Sequence, residues 1–239
     1  MGRLGDQHPV QRAGYLHEVA REVEAAGGAA LAIRLDVRDE SAIAAAVEQA
    51  AAHFGGIDIL VNNASAIQMT NTQETPAKRF DLMFGVNVRA TFLCSQACLP
   101  FLAKSANPHI LNPAPPLSMN LRWFRDHVAY TMSKYGMSMC TLGMAEEFRG
   151  QGIAVNSLWP RTTIATAAIA VNFPQAILDA SRKPDIMADA ACAIFKRDSR
   201  TATGNFYIDE DVLRAEGVTE LESYAVNPGA RLYTDLFLD

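Results

Sequence analysis

Short apolar runs alternate with longer stretches of helical periodicity along this chain, and that alternation narrows the possible folds more than any other feature. Residues 29–35, 57–61, 109–112, 153–158 and 204–208 read as strands. Residues 14–26, 39–54, 78–104, 129–150 and 188–195 read as helices, and residues 160–180, less periodic, as a lid. A run such as Ile57-Asp-Ile-Leu-Val61 is nearly continuous in apolar character, as a parallel strand buried on both faces is. Strands and helices in this order build an open parallel sheet wrapped on both sides. The expected class is therefore α/β, a doubly wound parallel sheet of Rossmann-like type. No linker or repeat divides the 239 residues, which suffice for one core, so a single domain over 1–239 is expected.

Local signals support the boundaries. Gly27-Gly28 and Gly55-Gly56 follow the first two helices, where a left-handed residue ends a helix at no steric cost. Asp39-Glu-Ser opens the second helix as a capping sequence does. Pro113-Ala-Pro-Pro-Leu-Ser118 breaks regular structure, and residues 119–128 read as a covering loop. In an open parallel sheet, ligands sit beyond the carboxyl ends of the strands. Asp36, Asn62-Asn63, the 113–118 segment and Pro160 all lie just after strand ends, so they converge on one crevice.

Tyr130-Thr-Met-Ser-Lys134 sets a phenol and an ammonium on one helix face, at i and i+4. A nearby ammonium favours the phenolate and lowers a pKa that starts near ~10. A tyrosine tuned in this way exchanges a proton near neutral pH, which suits making or breaking an alcohol. Taken alone, the spacing equally fits a surface tyrosine over a solvated lysine stem. Its setting adds weight: Leu60-Val-Asn-Asn-Ala-Ser65 and Val86-Asn-Val88 precede it, and Ile153-Ala-Val-Asn-Ser-Leu-Trp-Pro160 and Thr203-Gly-Asn-Phe-Tyr-Ile208 follow it.

These signals, in this order, resemble the short-chain dehydrogenase/reductase family, and within it the hydroxysteroid dehydrogenase-like 2 type. The resemblance is densest in GGIDILVNNASAI (55–67), YTMSKYGMSM (130–139), LWPRT (158–162) and YAVNPG (224–229). It implies an oxidoreductase that interconverts a carbonyl and an alcohol with NADP or NAD, NADP being slightly favoured. Tyr130 would be the general acid/base. Lys134 would tune it and bond the cofactor ribose, and Asn87 would hold a water that feeds protons to Lys134. Asp36, with Val37 beside it, would meet the adenine, although Asp36 also suits a helix cap. Asn63, Ala64 and Ser65 would frame the adenosine side, where strand-end capping is an equally simple role. Pro160, Ile164 and Thr166 would hold the nicotinamide carboxamide. Arg161 stands where the wider family has glycine, and either reaches the ligand or lies on the surface. The resemblance further implies a homodimer or homotetramer packed through the Asn87 and Tyr130 helices.

The chain departs from the family pattern twice. The family's substrate-polarising serine falls here on Ala114 and Pro115, leaving Ser118 as the nearest hydroxyl. Losing one such donor typically costs about 10²–10³-fold in rate. The glycine-rich turn that should cradle a pyrophosphate at a helix N-terminus is also missing. After Met1-Gly-Arg-Leu-Gly5 the sequence already matches the loop beyond the second strand, so the first strand–helix–strand unit is absent. Loss of two central strands would bare backbone groups and the cofactor floor. The expectation is a segment left out near Gly5, the alternative being a true deletion that leaves a binding or scaffold protein impaired in catalysis. An epimerase on the same sheet ranks low, because the C-terminal region is short.

Other classes find little support in the sequence. A net charge of −5 and the lack of basic runs argue against nucleic acid or an anionic membrane as partner. No uninterrupted apolar stretch reaches the ~18 residues of a membrane span, and the N-terminus lacks a secretion signal. Cys94, Cys98, Cys140 and Cys192 form no metal-ligand spacing and read as reduced thiols of a cytoplasmic protein. Trp123 and Phe124 in the covering loop suit a hydrophobic substrate, and suit core or dimer contacts equally well.

Overall fold

The computed structural model describes residues 9–239, with side chains described from residue 16 onward except that of Ala168. The join near Gly5 lies outside the described residues. Helix α1 (Pro9–Ala25) ends at Gly27, whose φ of +88° is the left-handed conformation expected there. Helix α2 (Glu40–Phe54) is capped by Asp39, whose carboxylate accepts from Ser41 N and Ala42 N, so the capping role falls to Asp39 and not to Asp36. Gly55, at φ +85°, closes α2.

Four strands, β1 (Ile59–Val61), β2 (His109–Asn112), β3 (Ala154–Trp159) and β4 (Phe206–Ile208), form one parallel sheet in the order β1-β2-β3-β4. Helices cover both faces, confirming the expected class. On one face Cys98, Leu102, Met144 and Phe148 pack on Ile110 and Val155. On the other, Ile186, Ile194, Val212 and Leu213 pack on Leu111 and Leu158. Successive side chains of a strand point to opposite faces, so Ile110 and Leu111 serve different cores.

Two expectations at the first edge of the sheet are corrected. Residues 29–35 are irregular and form no strand. A strand persists through its ladder, and no described strand lies beside them. Strand β1 is not buried on both faces: Ile59 is 41% and Val61 44% exposed. Leu60 packs into the core shared with helices α4 (Ala90–Leu102) and α5 (Val128–Glu147), whereas the opposite face is covered only over β2 and β3, by α8 (Asp185–Phe195) and α9 (Asp209–Ala215). The outer edge of β1 consequently stays open among the described residues.

Helix α3 (Ala77–Met83) runs through a π-helical turn, Phe84–Arg89, directly into α4. The continuous helix Ala77–Leu102 is, by length and composition, long and apolar enough to cross a membrane. Its Asn87, Thr91 and Ser95 are buried against the rest of the protein. Beyond β3, the lid region contains the short helices α6 (Ala167–Asn172) and α7 (Gln175–Asp179).

Candidate active site

A buried polar chain braces the carboxyl ends of the first three strands. Asn62 donates to Asn112 Oδ1 at 2.8 Å and to Ser95 Oγ at 3.2 Å. Asn112 donates to Thr141 Oγ1 at 2.9 Å, and Thr141 pairs with Ser157 Oγ at 2.8 Å. Such groups are tolerated in a core only when partnered. Here they lock β1, β2 and β3 to α4 and α5.

Asn87 sits in the π-helical turn, fully buried. Its Oδ1 accepts from Ala66 N at 2.8 Å, and its Nδ2 donates to Ala66 O and Ser133 Oγ, both at 2.9 Å. The widened turn aims this amide at both the β1–α3 connection and α5, a common use of π-bulges at functional sites. Gly136 permits the close approach, because a Cβ there would meet Val88 Cγ2 at 2.6 Å.

Helix α5 turns Tyr130, Ser133, Lys134, Met137 and Ser138 inward. The proline-rich loop lies along this face and offers carbonyls without amide hydrogens. Donors on α5 match it: Lys134 Nζ donates to Pro113 O at 2.7 Å, and Ser138 Oγ to Pro115 O at 2.7 Å. Lys134 also stands 5.1 Å from the centre of the Trp159 ring. Burial pushes its ammonium down to about 8, against the pull of the Asp235 carboxylate.

Tyr130 departs from expectation in this closed arrangement. Only 7% exposed, it has its phenol pushed up, first by burial and then by the Asp235 carboxylate, so proximity to Lys134 does not lower it. Asp235 itself is raised to about 7 by burial, against the Leu236 amide and Lys134. The sequence reading missed Asp235. A lone aspartate in a turn-rich tail carried no spacing signal.

Ser118 is directed elsewhere than Tyr130. Its hydroxyl donates to Asp239 Oδ2 at 2.6 Å, and its backbone is held by Tyr135, whose hydroxyl donates to Ser118 O at 2.7 Å. Ala114 is fully buried.

Of the expected cofactor contacts, Asn63, Ala64 and Ser65 lie exposed at the end of β1, and Val37 stands beside Asp36 in the stretch leading to α2. The Asp36 carboxylate is engaged by Arg38 through its backbone amide at 3.0 Å and its guanidinium at 2.6 Å, which lowers it to about 2. Pro160 is buried at the end of β3, Ile164 packs into the core over α8, and Thr166 accepts from Ile169 N as the cap of α6. Arg161 pairs with Asp211 at 2.6 Å, the surface role of the two weighed for it. The Thr162 hydroxyl, unremarked in the sequence, is buried without a partner. Lys134, bonded to Pro113 O, and the unpartnered Thr162 hydroxyl are thus side-chain donors buried on this side of the site. Among the described residues no glycine-rich turn stands ready for the pyrophosphate.

Comparison with known proteins places the chain among relatives of one family. The family model for short chain dehydrogenase matches residues 10–175. Hydroxysteroid dehydrogenase-like protein 2 of Rattus norvegicus is 58% identical over 233 residues, 98% of this chain and 44% of that protein. The chain thus spans about half the length of the curated relatives it matches. A crystal structure from Xanthomonas campestris superposes with a TM-score of 0.90 at 51% identity, covering 94% of this chain and 82% of the other. A short chain dehydrogenase from Mycobacterium thermoresistibile superposes with a TM-score of 0.88 at 48% identity, covering 94% and 80%.

Proposed function

This chain belongs to the short-chain dehydrogenase family and is an oxidoreductase by that membership, and we propose that it interconverts a carbonyl and an alcohol on a small, hydrophobic substrate with NADP or NAD. The observation that carries this reading is the inward face of α5, where Tyr130 and Lys134 lie buried beyond the carboxyl ends of parallel strands. When bound, the dinucleotide supplies or takes up the hydride. Tyr130 then gives its phenolic proton to the substrate oxygen in reduction, and recovers it in oxidation. Lys134, held by Pro113 O, keeps a positive charge near that proton and bonds the ribose. Asn87 fixes the π-turn against α5, its amide being committed to Ala66 and Ser133 and not to the relay water expected of it. Thr162 offers its unpaired hydroxyl to the carboxamide end, beside Pro160, Ile164 and Thr166. The adenosine end falls to Asp36, Val37, Asn63, Ala64 and Ser65, with Asp36 leaving Arg38.

Exposed Phe92, Met132, Met139 and Leu142 on α4 and α5 support a homodimer or homotetramer joined through these helices. Four free cysteines support a reducing, cytoplasmic setting.

The decisive variant is Tyr130→Phe, which removes only the proton-bearing oxygen. Turnover should fall about 10²–10⁴-fold, the usual contribution of general acid–base catalysis. Dinucleotide affinity should stay within severalfold of the parent. Undiminished turnover would overturn the assignment of Tyr130.

A further inference from the structure

Residues 234–239 cross the mouth of this site. Thr234 bridges Thr162, Asp235 N donates to Arg161 O at 3.1 Å, and Trp159 Nε1 donates to Leu236 O at 2.9 Å. Phe237 is then driven inward until it is 1% exposed. Its ring centre lies 5.3 Å from that of Tyr135, 5.7 Å from Trp123, 5.9 Å from Trp159, and 6.2 Å from both His127 and Tyr130. The segment ends at Asp239, whose side chain accepts from Ser118 Oγ at 2.6 Å, Arg122 at 2.9 Å, Trp123 Nε1 at 3.2 Å and Asn120 at 3.3 Å.

We propose that residues 234–239 are a strap that closes the substrate site, with Phe237 standing in for an apolar ring of the substrate and Asp239 as the latch. The proposal rests on Tyr130 being the proton-transfer residue. A buried Tyr130 meets no substrate until Phe237 withdraws, so a strap of this kind must open in every catalytic cycle. Phe237 also carries φ +69°, among described residues the only non-glycine in the left-handed region. A bulky side chain avoids that conformation, so the ring cage and the latch together hold the backbone there. The latch, by contrast, is built on exposed groups: the Arg122 and Asp239 side chains are 50% and 56% exposed. Exposed ion pairs hold weakly because water competes for them. The strap therefore joins a strained, buried plug to a weak outer fastening, as a closure that opens without unfolding the core requires.

The cage also defines the ligand. Five aromatic rings wall the space that Phe237 fills, and such walls favour a flat ring edge-on or offset. The substrate class is accordingly a carbonyl or secondary alcohol bearing an apolar ring next to the reacting carbon.

The two tryptophans of the chain both donate to the strap, so fluorescence reports its release without any need for turnover. Asp239→Ala and Arg122→Ala, both at exposed positions, should raise the acrylamide quenching constant severalfold and speed nitration of Tyr130. Quenching and nitration equal to the parent in both variants would overturn the strap. Titration of Asp239→Ala with 1-phenylethanol should show affinity severalfold above the parent, with no such gain for 2-butanol. Equal gains for the two alcohols would overturn the ring-bearing substrate class. Acrylamide quenching of Trp123 and Trp159 in Tyr130→Phe carrying Asp239→Ala separates the two ideas. Strap release persists there even if the proton-transfer assignment fails in the turnover assay.

Discussion

Gly136→Ala is a sharp test of how the site is assembled. The added Cβ would lie 2.6 Å from Val88 Cγ2 and 3.1 Å from Val88 Cγ1. Carbon atoms prefer separations of about 3.5–4.0 Å, so α5 and the π-turn must part by about 1 Å. Val88 cannot swing aside cheaply, because a β-branched side chain in a helix is nearly confined to one rotamer. Its neighbour Asn87 is pinned by three hydrogen bonds to Ala66 and Ser133. Overpacking of this kind costs about 1–3 kcal/mol, and alanine recovers about 1 kcal/mol in helix propensity. A net loss of roughly 0–2 kcal/mol remains once the offset is taken. In a chain of this size that lowers the melting temperature by about 2–4 °C per kcal/mol. Gly143→Ala is the matched control, on the same helix with nothing within 4 Å of its added Cβ. It should gain up to about 1 kcal/mol. Urea denaturation of the two variants beside the parent measures the contrast. If Gly136→Ala is as stabilising as Gly143→Ala, the close approach of α5 to the π-turn is refuted.

Two further outcomes follow from the buried groups. Asp235 is raised from 3.8 to about 7 on folding, so its contribution to stability is full below pH 4 and is lost as pH rises through 7. Lys134 is lowered from 10.5 to about 8, so its contribution is full above pH 10.5 and is lost as pH falls through 8. With Tyr130 and Asp209 as the other groups charged or titrating against this pair, stability should dip between pH 7 and 8. A denaturation series from pH 4 to 10 checks it, and Asp235→Asn should flatten the acid limb. Asn112→Ala should cost about 1–3 kcal/mol, the usual penalty for stranding buried partners, because it leaves Asn62 and Thr141 without their shared amide. Chemical denaturation reads that loss directly.

The sequence made the covered part of the sheet legible because its strands are paired and buried, so composition and structure agree. The run 109–112 became β2 with all four residues buried, and 153–158 became β3 shifted by one. Residues 29–35 have the same apolar look but no described partner. A propensity for strand cannot be realised without a ladder, and the periodicity of a segment says nothing of what stands beside it. The candidate site divides in the same way. Tyr130 and Lys134 were visible because helix spacing fixes which residues share a face, and Asn87 because its surroundings resemble the family pattern. Ser118, Asp235, Phe237 and Asp239 meet through contacts more than a hundred residues apart, or through a loop freed by three prolines, and no local pattern encodes them.

The fate of Ser118 shows why those distant contacts matter chemically. Tyr130 and Tyr135 are five positions apart, and at 3.6 residues per turn they diverge around α5. The loop, once past its prolines, comes to rest on Tyr135, which both donates to Ser118 O and accepts from Ser118 N at 3.3 Å. The backbone of Ser118 is therefore fixed independently of the strap, and only its hydroxyl is committed to Asp239. Opening the latch would then withdraw Phe237 from Tyr130 and free the Ser118 hydroxyl from Asp239, while the Ser118 backbone stays on Tyr135. The loop therefore serves the strap as a fixed anchor: the latch can release and reseat without Ser118 leaving its place.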